Sequence, residues 1–437
     1  RSSLFGENNR DQIFYRGSLA YRLSKDLDYD RIDELKLRAS YGTAGLRPLF
    51  GDIFETFSVS QSGISPFQVG NPDLRSPEIG EFEAGIDFNF LGKYRFSFTY
   101  ADSKTKDALI TVPLSGAVPG SRQVQNVGET EYTSFEVALS GTPVSNDNFS
   151  WDFGITASTT ENKYGSLGGV APFNRIFPAT LFDPAPALNI FRVEEGQPYG
   201  SIYGNSLAKS ISDLTVVDGL VINEGLNLPV SDFSVNEYGH VIVTAHKDIS
   251  GAIGTGEQAI RIWDKDSNQA ISKNIGDTNP DLIMGLSNTF SYKNLSFYML
   301  WDMQFGGNIY NYTKQLLYFN DRHGDLDDFG AAGQPHTYVN STSNIYNRGQ
   351  AIDYFVEDAT FAKLREVSLS YTLNKSVLKN IPVESLRFTL SGRNLITITD
   401  YTGWDPEVST ENSAIFKLDE FSYPNFRTYV ASIQITF

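Results

Sequence analysis

Histidines are few along these 437 residues, and the 52 carboxylates fall into no run with the spacing of a catalytic motif. The histidines His240, His246, His323 and His336 are spread over polar stretches without ligand spacing, and no HExxH or GxSxG run accompanies them. GAIGTGEQ at 251–258 is rich in glycine but lacks the strand-then-helix context of a phosphate loop, so it reads as flexible loop. Asp264, Asp266 and Asn268 have the alternating oxygen spacing that would hold Ca2+ in a loop. Gln269 stands where the sharp-turn glycine belongs and Ile275 where the bidentate glutamate belongs, which leaves a solvated turn as the alternative. DRHGDLDD at 321–328 offers Asp321, His323, Asp325, Asp327 and Asp328 to a substrate, a partner or calcium, or to plain acidic surface. Trp404 beside Asp405 is sugar-stacking chemistry or a loop anchor, and Arg387 and Arg393 are strand cations that face either solute or protein. None of this is catalytic machinery, and the expectation is a protein that is not an enzyme and has no cofactor beyond such a Ca2+.

The elements that must position these residues are strands. EFEAGIDFNF alternates Phe82, Ala84, Ile86, Phe88 and Phe90 with Glu81, Glu83, Gly85, Asp87 and Asn89, one oily face against one charged face. YRFSFTY, LKLRASY, FSWDFGITAS, LSFYMLWDMQF, SLRFTLSGRN and TYVASIQITF repeat the pattern. The strands predicted are 12–25, 33–43, 80–90, 94–112, 130–142, 149–159, 283–292, 295–305, 360–374, 385–399 and 425–437, with almost no convincing helix. Their connections alternate between short turns and long segments, the latter near 44–79, 113–129, 160–282, 306–359 and 400–424. A soluble sandwich has no reason to sort its loops onto two ends, whereas an outer-membrane barrel puts short turns in the periplasm and long loops outside. The oily faces then meet lipid and the charged faces a wet lumen, where ionisable groups cost little. Tyr41, Tyr94, Tyr100, Trp151 and Tyr371 fall near strand ends, as an interfacial girdle requires.

Composition agrees. A formal charge of −17 argues against a nucleic-acid partner. Cysteine is absent, so no disulfide, thiol nucleophile or Cys-bound metal enters. No apolar run is long enough for a membrane helix. The first residue is Arg, the strand count is odd, and bacterial barrels close with an even number. The expectation is therefore a fragment of something longer, whose last strand ends on the aromatic Phe437.

Blocks along the chain resemble the SusC-like TonB-dependent transporters. They are NPDLRSPEIGEFEAGIDF (71–88), GETEYTSFEVAL (128–139, with Ser134 where glycine is usual), EGQPYGSIYG (195–204) and GDTNPDLIMGLSNTFSYKNLSF (276–297). FVEDATFAKLREVSLSYTL (355–373) and SLRFTLSGRNLITITDYTGWDPEV (385–408) complete the set. The resemblance implies an all-β fold: a transmembrane antiparallel β-barrel, of which this chain is about eleven C-terminal strands out of 22, closed by a plug that precedes them. It implies residence in the outer membrane of a Gram-negative bacterium and energised import of an oligosaccharide or oligopeptide. It also implies TonB acting through the plug segment, a SusD-like lipoprotein lid, and a dimer of transporter–lipoprotein pairs. On that pattern Asp321, His323, Arg387, Arg393, Trp404 and Asp405 are the substrate candidates. The rival readings are a passive porin or adhesin-like barrel and a soluble β-rich glycan-binding protein.

Overall fold

The computed structural model describes residue 5 and residues 11–26, 29–49, 51–60, 63–114, 122–175, 188–249, 254–320, 322–324, 349–379, 382–407 and 415–437. Eleven strands form one antiparallel sheet in which every strand pairs with its neighbours in sequence. They are β1 (Arg16–Arg22), β2 (Ile32–Gly45), β3 (Glu78–Phe90), β4 (Tyr94–Lys106), β5 (Glu129–Ser145) and β6 (Phe149–Tyr164). β7 (Leu282–Tyr292), β8 (Leu295–Phe305), β9 (Phe361–Asn374), β10 (Ser385–Thr399) and β11 (Thr428–Thr436) complete it. Among the described residues β1 pairs with β2 alone and β11 with β10 alone, so both edges of the sheet are free.

Short connections at one end use turn geometry written into the sequence. Leu91 and Gly92 both take positive φ (57° and 60°) between β3 and β4, and Lys293 (52°) opens the turn between β7 and β8. The predicted strand 94–112 is two elements, because Asp107 takes a φ of 55° after Lys106 and a separate hairpin starts at Leu109.

The two faces differ as the alternation requires. Leu37, Tyr41, Phe82, Ile86, Phe135, Leu390, Ile398 and Ile433 are exposed although large and apolar. Aromatic rings run across the short-turn end of this face. Phe88 lies 4.9 Å from Phe90, Phe90 5.2 Å from Tyr94, and Tyr94 6.4 Å from Phe153. Phe153 lies 6.0 Å from Trp151, Trp151 6.0 Å from Phe290, and Phe290 6.3 Å from Phe297. The one amide in this belt, Asn288, accepts the Trp151 indole N–H at 3.0 Å. Eight residues separate Phe82 from Phe90, an apolar band of about 25 Å along the strand. Beyond its upper limit the same face turns charged. Asp102 and Lys104 follow Tyr100 on β4, and Glu131 holds Lys104 at 3.4 Å and Lys163 at 3.0 Å.

The opposite face carries cross-strand ion pairs. Lys36 meets Asp87 at 2.9 Å, and Arg38 meets Glu83 and Asp87. Gly85 makes room for Arg38: a Cβ there would sit 2.6 Å from the guanidinium carbon.

Buried packing lies in the long connections. Of the buried residues forming the four apolar clusters, only Tyr164 belongs to a strand of the eleven-stranded sheet. One cluster gathers Ile190, Phe191, Ile202, Tyr310, Tyr312, Leu316, Ile352, Phe355 and Leu418, so the connections after β6, β8 and β10 share a core. A second, with Val221, Phe233, Val241, Val243 and Ile260, lies wholly within 165–281. The single α-helix among the described residues, α1 (Tyr312–Phe319), is capped by Asn311, whose side chain accepts from the Lys314 N–H at 2.9 Å. Two turns are too few for the helical period to show in the sequence.

Candidate functional site

On the charged face the connection after β10 returns and is clamped to the wall. Arg365 is the extra residue of a bulge in β9 against β8, and the pairing of β9 with β10 shifts at the same place, where Asn394 and Leu395 stand opposite it. The bulge turns the guanidinium toward Asp302, with Nε at 3.0 Å and Nη2 at 2.7 Å, and Nη1 donates to Glu407 at 2.7 Å. Lys363, whose side chain is 2% exposed, donates to both Asp405 and Glu407. Asp405 in turn accepts the backbone N–H of Glu407 at 3.0 Å and of Asn425 at 3.1 Å. Burial pushes the Glu407 carboxyl up, but hydrogen bonds from Arg365 and Lys363 outweigh it and hold the group below its usual range. Asp405 is thus a loop anchor, while its neighbour Trp404 is 71% exposed.

A second polar cluster stands beside it. Asp419 accepts from the Tyr401 hydroxyl at 2.5 Å and from Thr313 at 2.9 Å; burial keeps its carboxyl above the usual range. Lys417 donates to Gln304 Oε1 at 2.8 Å, and burial pulls its ammonium down to about 8.

The remaining sequence candidates occupy separate places. Arg387 and Arg393 both project from the charged face of β10; Arg393 reaches Glu366 at 3.1 Å, and Arg387 has no ion pair among the described residues. His323 stacks on Tyr318 at 4.1 Å, near the end of α1. Asp321, Asp325, Asp327, Asp328 and His336 lie outside the described residues. Asp264, Asp266 and Asn268 form a turn between two paired strands. Asp264 accepts the N–H of Asp266 at 2.6 Å and of Ser267 at 3.1 Å, while Asn268 accepts the Trp263 indole at 3.1 Å. Among the described residues no group of three His, Asp or Glu side chains is placed to hold a metal ion. The candidates therefore do not converge. Sequence reading missed the clamp because Lys363, Arg365 and Asp302 look like ordinary polar-face positions until the bulge brings them to one loop.

Comparison with known proteins gives a consistent picture. Residues 1–208 match the family model described as TonB dependent receptor-like, beta-barrel. TonB-dependent receptor P3 of Formosa agariphila is 27% identical over 459 residues, covering 100% of this chain and 43% of the relative. TonB-dependent receptor P26 of the same organism is 26% identical, again over 43% of its length. The chain thus spans less than half the length of these relatives. Among solved structures, the RagAB peptide importer in its closed-closed state superposes with a TM-score of 0.70 at 21% identity, over 100% of this chain and 44% of that one. The open-open state gives 0.69 at 22%. This likeness concerns the fold.

Proposed function

Because the chain belongs to the TonB-dependent receptor β-barrels, we propose that it is the C-terminal half of an outer-membrane importer. The observation that carries this is the inverted burial: strands expose their apolar faces in a band flanked by aromatic rings, while the connections pack a core of their own. Such a surface is stable in lipid and would aggregate in water. Free edges on β1 and β11 support further strands from the same longer protein, up to about 22, closing around a plug. The cargo is an oligosaccharide or oligopeptide, received from a SusD-like lipoprotein on the outer side and released inward when TonB rearranges the plug. Paired transporter–lipoprotein units are part of the same proposal. This chain supplies wall, loops and lid-contact surface, with no chemical step. The Asp264–Asn268 turn remains the proposed Ca2+ position, Arg387 and Arg393 the cations offered to a passing solute, and Trp404, Asp321 and His323 the loop contacts.

Uptake of a labelled oligomer by cells carrying the full-length protein tests it. Uptake should stop when TonB is deleted or the proton-motive force is collapsed. Undiminished uptake would identify a passive pore instead.

A further inference from the structure

A cavity of about 590 Å³ opens among the loop segments between the strand Ser201–Asn205, the turn that carries Trp263 and Gln269, and residues 349–351. That volume suits a small-molecule ligand or one or two units of an oligomer. Two aromatic side chains, Tyr203 and Trp263, line it together with the amides of Asn174, Asn205, Gln269 and Gln350 and the hydroxyl of Ser272. In a chain of charge −17 its lining holds no carboxylate. A second concavity, between the charged extensions of β4 to β6 and the segment before β7, is lined by Asp102, Glu131, Glu161, Asp277 and Asp281 with Lys104 and Lys163. The one cation in the neutral cavity, Arg261, is compensated from behind: Glu224 takes its Nε and Nη2, both at 2.6 Å.

The walls are fixed before any ligand arrives. Arg261 Nη1 donates to Gln350 Oε1 at 2.7 Å, and Asn205 donates its backbone N–H to Ala351 O at 2.8 Å. Gly204 brings the two segments so close that a Cβ would lie 2.5 Å from the Ala351 carbonyl oxygen. The Trp263 ring is oriented by its bond to Asn268. Gln269 and Ser272, by contrast, make no side-chain hydrogen bond among the described residues, which leaves donors and acceptors for a guest.

We propose that this cavity is a binding subsite for an uncharged saccharide unit. Flat C–H faces of a pyranose ring pack on an aromatic ring such as Trp263, since the Arg192 guanidinium already stands over one face of Tyr203 at 5.2 Å, and its hydroxyls, each donor and acceptor, match amide and hydroxyl side chains. A uronic or sulfated sugar would find no uncompensated cation there, and a peptide's termini and charged side chains would find no counter-charge. The proposal rests on the import reading, whose cargo it narrows.

The test is isothermal titration of the full-length purified protein with neutral hexasaccharides (gluco-, manno- and xylo-configured), hexagalacturonate and a decapeptide mixture. At least one neutral hexasaccharide should bind, with Trp263→Ala or Tyr203→Ala weakening it about tenfold or more. Gln269→Ala should weaken it severalfold, Trp263→Phe should retain most of the affinity, and Tyr423→Ala, an exposed aromatic outside the cavity, should change nothing. Gln269 is exposed, so its variant reports on the site even where Trp263→Ala disturbs folding. Failure of every neutral probe, indifference to Trp263 and Gln269, or Trp263-dependent binding of the peptide or hexagalacturonate overturns the proposal. Binding as expected with TonB-independent uptake would sink the import reading and leave the subsite standing.

Discussion

Replacing Lys363 by methionine should release the loop after β10, because one buried ammonium serves two carboxylates. The Lys363 side chain is 2% exposed and that of Asp405 6%, so little solvent is at hand to replace it. Glu407 keeps Arg365 as a partner, but among the described residues Asp405 retains only two backbone N–H groups. Stranding a buried charge in this way costs on the order of 3–5 kcal/mol. Asp405→Asn preserves an acceptor oxygen and leaves Lys363 paired with Glu407, so the loss is one charged hydrogen bond, about 1.5–3 kcal/mol. The double variant strands nothing and should therefore cost less than the sum by about 1.5 kcal/mol or more. Hydrogen exchange reads this directly, since the amides of Glu407 and Asn425 both donate to Asp405. In Lys363→Met their exchange should quicken by about a hundredfold to several thousandfold, while amides in the middle of β9 stay protected. Unchanged exchange in Lys363→Met, or strictly additive single variants, would refute the clamp.

Other outcomes follow from the same structure. The Glu407 carboxyl is held below its ordinary 4.5, so its contribution to the clamp is full above that pH and is lost as pH falls through the depressed value; amide exchange of Asn425 on acidification measures it. Lys417 behaves oppositely: its value falls from 10.5 to about 8, so the unfolded loop binds more protons between those limits and stability rises with pH across them. Lys417→Met should remove that rise, seen as a melting temperature that no longer climbs between about pH 8 and 10.5. Leu390→Arg on the lipid side of β10 should cost about 2–4 kcal/mol of barrel stability in bilayers, whereas Thr389→Arg on the charged face should be tolerated; equilibrium refolding into vesicles separates the two. Gly204→Ala should push the Ser201–Asn205 strand off Ala351 and cost about 1–3 kcal/mol, read as loop proteolysis without loss of the barrel.

The sheet was legible because alternation is a property of adjacent residues. Phe82 to Phe90 announce their face without knowledge of any partner, and β8 and β10 run over the predicted residues. The splitting of β4 at Asp107 was not legible, because a single positive φ leaves no mark on the apolar pattern. The loop cores escaped for a related reason: Phe191, Tyr310 and Phe355 come together from connections far apart in the chain, and none has periodic neighbours. The clamp was half legible. Asp405 stood out in TGWDPEV, but its partners did not, since the bulge at Arg365 depends on pairing with β8 and β10 at once.

The change from oil to charge on the outer surface of β4, β5 and β6 sets a waterline. Below Tyr100 and Phe135 the wall wants hydrocarbon; above them Lys104, Glu131 and Lys163 want water. Moving the molecule down by two residues would drown ion pairs in lipid, and moving it up would strip lipid from Phe98 and Val137. The draught of the vessel is therefore fixed at both limits. Its strands stand proud of the bilayer by about three to six residues, on the order of 10–20 Å. The loops ride on that freeboard, clear of the lipid headgroups.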